Sequence, residues 1–453
     1  MAGMTFFLST LGCKVNQYES QALREAWRTR GFREADKVEE ADYILVNSCA
    51  VTAKAVADVR NTVRRLNRAA PGASIIVSGC AAQVLADELR ELPGVVRVVN
   101  QNHKAELLEG FSIVPSPAVE LEKTFEPVIS DDCSSLRFPP FSVSGYDRSR
   151  AVLKIQDGCS HGCAYCIVPL TRGPARSRDF SDTLDEARRL LDAGFRELII
   201  SGVNLRQYRM NGSRNRDDFW RFLSLLDAAL ASDWTGEARL RISSLEPGQL
   251  EERALETLAA CRLVAPHLHL SLQSGSPSVL QRMGRGHYDI TGIPDFLTEL
   301  RRIWPVFGLG ADILTAFPGE TETEFQEGLD FCRAVPFSYA HVFPYSKRPG
   351  TRAAALPGQI QPEVKKQRAA ALRALVQEKK RTFLSSLLNI STQHVVFEDR
   401  PSGTAFPLCS GRGVNEFYAE CCLSGPGSFS PAKLTAVRPL STDGSVILVE
   451  TTT

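Results

Sequence analysis

The sequence predicts an α/β fold: an N-terminal doubly wound parallel-sheet domain, a central partial (β/α)6 barrel and a small C-terminal β-barrel. Three observations predict it. Short apolar runs alternate with helical stretches from residue 5 to residue 99, and continuous strands between helices imply a parallel sheet covered on both faces. Six further strand–helix units follow between residues 151 and 344, too few to close an eight-fold barrel. Beyond residue 392 the chain turns to short β segments parted by Gly, Pro and Ser, the pattern of a small barrel. The expected divisions are 1–120, a linker at 121–145, 146–388 and 389–453.

In the first part, strands are expected at 5–10, 42–47, 74–78 and 95–99, with helices over 18–30 and 53–68. Residues 121–150 are rich in Pro, Ser and Asp without periodicity and read as the linker, in which Cys133 carries no pattern. The barrel strands are expected at 151–155, 197–201, 239–243, 267–271, 309–314 and 339–343, with helices such as 184–193 and 322–334 between them. Thr321 and Glu324 fit a capping box. His267, His269 and His341 fall on strands and are expected to be packed or hydrogen-bonded. A long helix over 362–388 is followed by tail strands at 394–398, 414–418 and 445–449. Cys409, Cys421 and Cys422 lack a partner pattern and are expected to be structural.

At 453 residues the chain exceeds one ordinary core and calls for two or three domains. With 43% hydrophobic and 23% charged residues it is ordinary for a globular protein. No apolar run approaches the ~20 residues of a membrane span, and the N-terminus lacks a basic, apolar, cleavable signal. A cytoplasmic location is therefore expected, where clustered thiols among the twelve cysteines read as metal ligands rather than disulfides. The net charge of +1 implies no partner by itself, so any nucleic-acid surface must come from local clustering.

The densest chemistry lies in Gly158-Cys159-Ser160-His161-Gly162-Cys163-Ala164-Tyr165-Cys166, directly after the first barrel strand. Thiolates are the usual ligands of iron–sulfur clusters, and a four-iron cubane normally takes four. Three in a tight loop can hold three irons and leave the fourth open to a small molecule. A zinc knuckle would want a fourth Cys or His at knuckle spacing, and His161 is tethered too closely for a tetrahedral site. Polar residues follow the other barrel strands: Gly202 and Asn204; Ser244 and Glu246; Gln273, Ser274 and Gly275. They are expected at the carboxyl ends of the strands, where such barrels gather catalytic groups.

Three more cysteines repeat that placement. Cys13 follows the first strand, Cys49 the second and Cys80 the third, so a parallel sheet puts all three at its carboxyl edge, where open α/β sheets bind ligands. Gly12 and Gly79 precede two of them and let the backbone approach a bulky group. A lone buried cysteine is often just a small hydrophobe. Three at one edge of successive strands point to a second cluster site, with core packing as the plain alternative.

Basic residues gather in three places. Arg60, Arg64, Arg65 and Arg68 repeat at helical spacing after Cys49; Arg172, Arg176 and Arg178 follow the cysteine loop; Lys365, Lys366, Lys379, Lys380 and Arg381 dot the long helix. Each set alone is ordinarily a solvated face. Combined with a β-barrel tail, they suit a phosphate backbone better than a small metabolite.

Both cysteine triads together resemble the methylthiotransferases, radical S-adenosylmethionine (SAM) enzymes with two [4Fe–4S] clusters. The resemblance is specific in the run from Gly12 to Glu19, in Cys159 to Cys166, in Leu270-Ser271-Leu272-Gln273-Ser274-Gly275-Ser276, in Phe317-Pro318-Gly319-Glu320-Thr321-Glu322 and from His341 to Thr351. Within the family, Lys14-Val15 and Ala50-Val51-Thr52 look like the branch acting on threonylcarbamoyladenosine at position 37 of tRNA. The isopentenyladenosine and ribosomal-protein branches carry other residues at these points. Arg206 stands where a small residue is usual, and Gly411-Arg412-Gly413-Val414-Asn415 departs from the common pattern of the TRAM-like tail.

The resemblance implies that Cys13, Cys49 and Cys80 hold the auxiliary cluster, while Cys159, Cys163 and Cys166 hold the cluster that binds SAM. By position it places Tyr165, Gly202, Asn204, Ser244, Glu246, Gln273, Arg285, Ile313 and Phe343 around SAM. One SAM would methylate a sulfur on the auxiliary cluster. A second would yield the deoxyadenosyl radical that takes hydrogen from C2 of the adenine, a bond too strong for acid–base chemistry. The implied partners are a tRNA anticodon stem-loop with a splayed-out base, an external electron donor and a sulfur donor, with no membrane and a monomeric chain. Other readings remain: the isopentenyladenosine or ribosomal-protein enzyme, a single-cluster radical enzyme whose N-terminal trio is core, or a tRNA-binding protein with structural clusters.

Overall fold

A computed structural model of the chain describes residues 3–111, 137–210, 218–398, 409–425 and 429–452. Cys133 and most of the expected linker lie outside the described residues. Packing divides the chain into two compact units. One comprises Met1–Ser144, Gln156–Arg178 and Ser346–Ala355; the other comprises Gly145–Ile155, Asp179–Tyr345 and Leu356–Thr453. The cysteine loop thus packs with the N-terminal sheet, although it follows the first barrel strand in sequence. Among the described residues no helix is long and apolar enough to cross a membrane.

The first unit is built on five parallel strands, β1 (Thr5–Thr10), β2 (Arg33–Glu34), β3 (Tyr43–Ser48), β4 (Ser74–Gly79) and β5 (Val95–Val99), in the order β2-β1-β3-β4-β5. Every residue of β3 is buried, as a central strand with both faces covered requires. Helix α1 (Lys14–Thr29) starts four residues before its expected position, because Cys13 is already extended and its carbonyl accepts from the Gln17 amide at 3.1 Å. On that face Trp27 meets Phe6 edge-on, with ring centroids 5.0 Å apart. Helix α2 (Ala53–Ala69) is capped by Thr52, whose side chain accepts from the Ala55 amide. It lays Val56, Val59, Val63 and Leu66 against Ile44, Val46, Ile75 and Val77. The sheet is doubly wound, as expected. Two short helices, α3 (Cys80–Val84) and α4 (Ala86–Arg90), follow β4.

The second unit holds the barrel. Its strands are β6 (Ala151–Lys154), then, beyond the small antiparallel pair β7 (Gln156–Asp157) and β8 (Arg176–Ser177) of the first unit, β9 (Glu197–Ser201), β10 (Arg239–Ile242), β11 (His267–Gln273), β12 (Gly308–Thr315) and β13 (Tyr339–Pro344). The strands β6, β9 and β10 form one parallel sheet and β11, β12 and β13 another. Parallel bridges Leu240–Val264 and Leu245–Leu270 join the two. Among the described residues β6 and β13 do not pair, so the six-stranded barrel is open, as the sequence predicts. Helix α5 (Val168–Arg172) belongs to the cysteine loop. The barrel helices are α6 (Phe180–Asp192), α7 (Phe219–Trp234), α8 (Glu252–Ala260), α9 (Pro277–Arg282), α10 (Ile293–Ile303) and α11 (Glu322–Ala334), and α12 (Pro362–Leu387) leads to the tail. The Thr321–Glu324 capping box is present.

The tail is a closed barrel, β14 (Gln393–Phe397), β15 (Cys409–Val414), β16 (Glu420–Ser424), β17 (Leu434–Thr442) and β18 (Ile447–Thr451), in the order β14-β15-β16-β18-β17. The strand expected at 414–418 is instead a turn. Asn415 takes the amides of Phe417 and Ala419 on its side-chain oxygen at 3.1 and 2.8 Å, and Tyr418 adopts φ 65°. An asparagine that satisfies local backbone donors competes with the ladder. Cys409 and Cys422, which show no partner pattern in the sequence and are expected to be structural, pair as a disulfide across β15 and β16.

Candidate iron–sulfur site

Both thiol triads lie in the first unit. Cys13 caps the start of α1 after β1, Cys49 follows β3 directly and Cys80 opens α3 after β4. With β1, β3 and β4 adjacent and parallel, the three occupy one carboxyl edge, as expected. The glycines beside them leave room. Gly12 has φ +98°, and a Cβ there would sit 2.8 Å from Cys49 Cβ and 3.0 Å from Cys49 Sγ. Gly79 has φ +96°, and its Cβ would meet the Ser48 carbonyl at 2.5 Å. Only glycine fits both.

Cys13 is exposed, whereas Cys49 and Cys80 are buried. Burial pushes the Cys49 thiol up to about 11, and the neighbouring Cys80 and Cys13 add to the rise while Arg172 opposes it. Burial raises Cys80 as well, again against Arg172. Bare, these buried thiols keep their protons, and a metal must displace them. Three soft thiol donors with no carboxylate among them, set at a glycine-opened edge, fit an iron–sulfur cluster.

The second triad lies between β7 and β8, whose antiparallel pairing closes the loop at its base. Cys159 is buried; Cys163 and Cys166 are half-buried. The Cys166 amide donates to the Cys163 carbonyl at 3.1 Å and the His161 amide to Cys159 Sγ at 3.5 Å, so the loop turns back on itself and one amide meets a sulfur. Gly158, at φ +70°, is pressed so closely on the Pro174 carbonyl that a Cβ would lie 2.0 Å from it. Tyr165 is half-buried beside Cys166.

A buried polar network runs from this loop to the trio, most of it built from residues far apart in the chain. Arg172 Nη1 donates to Glu19 Oε1 at 2.8 Å and to Asp157 Oδ1 at 2.9 Å, while Nη2 donates to Asn16 Oδ1 at 2.6 Å. Lys104 donates to the Glu19 carboxylate and, at 2.7 Å, to Asn47 Oδ1. Arg172 is 2% exposed and Arg178, 6% exposed, donates to the Tyr18 hydroxyl at 3.2 Å. This corrects the expectation of a basic surface here: neither can face a phosphate. Arg176 is half-buried, donating to the Arg172 carbonyl at 3.1 Å.

The arginines of α2 fare differently. Arg60 is ion-paired with Glu88, 2.8 Å between Nη2 and Oε2. Arg64, Arg65 and Arg68 are exposed, and with Asn61 and Leu11 they line an open groove of about 850 Å3. On α12, Lys365 donates to the Tyr345 carbonyl at 3.0 Å and Lys379 to the Arg333 and Val335 carbonyls at 2.7 and 2.9 Å. Those two lysines are turned to the protein, and the expected basic stripe is broken.

In the second unit the residues expected around SAM fall after or at the ends of their strands. Gly202 follows β9 and Asn204 caps the next turn by accepting from the Arg206 amide; Ser244 follows β10; Gln273 ends β11 with φ 68°; Ile313 is buried on β12; Phe343 on β13 is 45% exposed. Glu246 and Arg285 are brought together, 3.0 Å between Oε1 and Nη2. Glu246 also takes Arg206 at 3.1 Å and His287 at 3.0 Å. Arg206 and His287 were not among the expected site residues; the unusual arginine at 206 was the signal available. His267 and His269 are buried and share the Tyr339 hydroxyl at 2.9 Å each; His341 is more exposed, but its ring packs against those of His269 and Tyr339, with centroids 5.7 and 5.6 Å apart.

Comparison with known proteins agrees with this layout. Residues 5–100 match the model of the uncharacterized protein family UPF0004, and residues 153–332 match that of the radical SAM superfamily. Among curated relatives, the threonylcarbamoyladenosine tRNA methylthiotransferase MtaB of Bacillus subtilis is 35% identical over 85% of this chain and 83% of that protein. The MtaB of Aquifex aeolicus is 31% identical over 87% and 93%. The tRNA-2-methylthio-N(6)-dimethylallyladenosine synthase of Oleidesulfovibrio alaskensis is 31% identical over 97% and 98%. Among solved structures, the radical SAM methyltransferase TsrM of Kitasatospora setae shares the fold, with TM-score 0.56 at 16% identity over 78% of this chain and 77% of that one.

Proposed function

We propose that this chain, which belongs to the radical SAM methylthiotransferases, converts N6-threonylcarbamoyladenosine at position 37 of tRNA to its 2-methylthio derivative. The observation that carries the reading is the pair of thiol triads held in one compact unit and bridged by buried side chains. The enzyme uses SAM and [4Fe–4S] clusters. When bound, these supply a radical able to break an aryl C–H bond and a sulfur to replace the hydrogen.

The chain's own residues bind and orient. Cys159, Cys163 and Cys166 would hold the SAM-binding cluster, and Cys13, Cys49 and Cys80 the auxiliary one, each with three thiolates and a corner left open. Glu246, fixed by Arg206 and Arg285, would present a buried carboxylate to SAM, in company with Gly202, Asn204, Ser244, Gln273, Ile313 and Phe343. Arg64, Arg65 and Arg68 would contact phosphates of the anticodon stem-loop, neutralising charge along the groove they line on α2. Electrons and sulfur would come from external donors to a monomeric chain in the cytoplasm.

The choice of branch rests on the relatives named for threonylcarbamoyladenosine and on Lys14-Val15 and Ala50-Val51-Thr52. The dimethylallyladenosine enzyme is the second reading, favoured by a relative that aligns over nearly the whole chain. Mass spectrometry of tRNA nucleosides from a deletion strain decides between them. Loss of 2-methylthio-threonylcarbamoyladenosine, restored by the gene, is the expected result; its persistence, with the dimethylallyl product lost instead, selects the second reading.

A further inference from the structure

We propose that Arg172 is a positioning residue that sets the register between the two thiol triads, an inference that rests on the reading that each triad holds a cluster. Its guanidinium sits six residues beyond Cys166, 2% exposed, and grips three side chains, one beside the loop and two on α1. On the loop side it donates to Asp157 Oδ1 at 2.9 Å, and the same oxygen accepts from the Gly158 amide at 2.8 Å, one residue before Cys159. On the sheet side it donates to Glu19 Oε1 at 2.8 Å and Asn16 Oδ1 at 2.6 Å, both on the helix that Cys13 begins.

From Asn16 the connection reaches the other two thiols. Asn16 Nδ2 donates to the carbonyls of Leu11 at 2.8 Å and Ser48 at 2.9 Å, the latter adjoining Cys49. Ser48 Oγ in turn donates to the Ser78 carbonyl at 2.5 Å and accepts from the Ala81 and Ala82 amides at 3.2 and 3.3 Å, on both sides of Cys80. Every member of this relay is buried or half-buried, so each is held rather than solvated.

The chemistry asks for arginine. A planar fork with five donors fixes several acceptors at once, whereas a lysine offers a point charge on a flexible stem. The network is already charged: Arg172 and Lys104 face Glu19 and Asp157, and Arg176 lies 3.9 Å from Asp157. Substituting Lys at 172 therefore keeps the charge count and removes only the fork. That separates register from electrostatics.

The test uses the full chain, reconstituted anaerobically, as R172K. Iron content is measured first. Electron paramagnetic resonance of the reduced protein then reads the spin interaction between the two clusters, which needs no tRNA. Methylthio product per deoxyadenosine formed is read last. R172K is expected to keep about eight irons, to show an altered spin interaction, and to give about tenfold less product per deoxyadenosine, the scale set by a small misplacement of reacting groups. A wild-type spin interaction in R172K with both clusters present overturns the proposal. Should R172K lose iron, D157N, which loosens the same grip from the loop side, is measured instead: an altered interaction supports the proposal, and a wild-type one overturns it. Iron loss in both variants makes Arg172 a fold strut and overturns it too. An unsubstituted chain that binds only about four irons would instead sink the two-cluster reading.

Discussion

Asn16 Nδ2 lies 2.9 Å from the Ser48 carbonyl oxygen, bridging 32 residues of sequence to fix the backbone beside Cys49. The same nitrogen holds Leu11, two residues before Cys13, at 2.8 Å. Removing the amide strands two carbonyls at the edge where the trio sits, at about 1–3 kcal/mol for each group left buried and unpaired. N16A is therefore expected to lower iron from about eight to about four per chain after reconstitution, with the loop triad still loaded. Iron and sulfide analysis checks it. Gly12→Ala is expected to act alike, since its Cβ would press on Cys49.

Glu246 is the shared anion of two arginines and a histidine, with its side chain 1% exposed. Taking away its charge leaves Arg285, 8% exposed, without its carboxylate. E246Q is expected to weaken SAM binding about tenfold, or ~1.4 kcal/mol, with iron content unchanged. Equilibrium dialysis of SAM against the reconstituted chain reads both. Arg206 is 29% exposed, so R206A should cost less.

The six thiols were legible because their information is local: a tight spacing in one case, and the residue after each strand in the other. Strand ends in a parallel sheet share an edge, so counting positions sufficed. Depth was not legible. Arg172, Arg176 and Arg178 read as a basic run, yet Arg172 and Arg178 are buried by partners from α1, and nothing near residue 172 announces Glu19 or Asn16. Lys104 meets Glu19 across 85 residues, a pairing that no periodicity encodes. In the tail, Phe417 and Tyr418 carry strand-like composition, but Asn415 captures their backbone and turns the chain.

Exposure should sort the arginines of α2 by their effect on RNA binding. Arg64, Arg65 and Arg68 are exposed along the groove, while Arg60 is already engaged by Glu88. Alanine at 64, 65 or 68 is expected to weaken tRNA binding and to flatten the slope of log K against log salt by about 1 each. R60A should change that slope less, because its charge is partly neutralised in the free protein. Titrations at several salt concentrations measure it, and equal slopes for all four variants would contradict the assignment.

Glu197 joins the barrel to the tail through arginines. Its carboxylate holds Arg239 Nε at 2.6 Å and Arg241 Nε at 2.8 Å. Those guanidiniums then donate to the carbonyls of His394 and Val414, and of Asn415 and Glu416. Burial would raise the Glu197 carboxyl, but Arg239 and Arg241 outweigh it and hold the group well below the usual carboxylate range. A depressed folded value means that its stabilisation is complete above the unfolded value of about 4.3 and is lost as pH falls below it. E197Q leaves buried guanidiniums uncompensated, at about 3–5 kcal/mol, and is expected to lower the melting temperature at pH 7. Between pH 5 and pH 3 the wild type should lose stability more steeply than E197Q, because only the wild type has this carboxylate to protonate. Parallel melting curves for both chains would show instead that the arginines, not Glu197, set the tail in place.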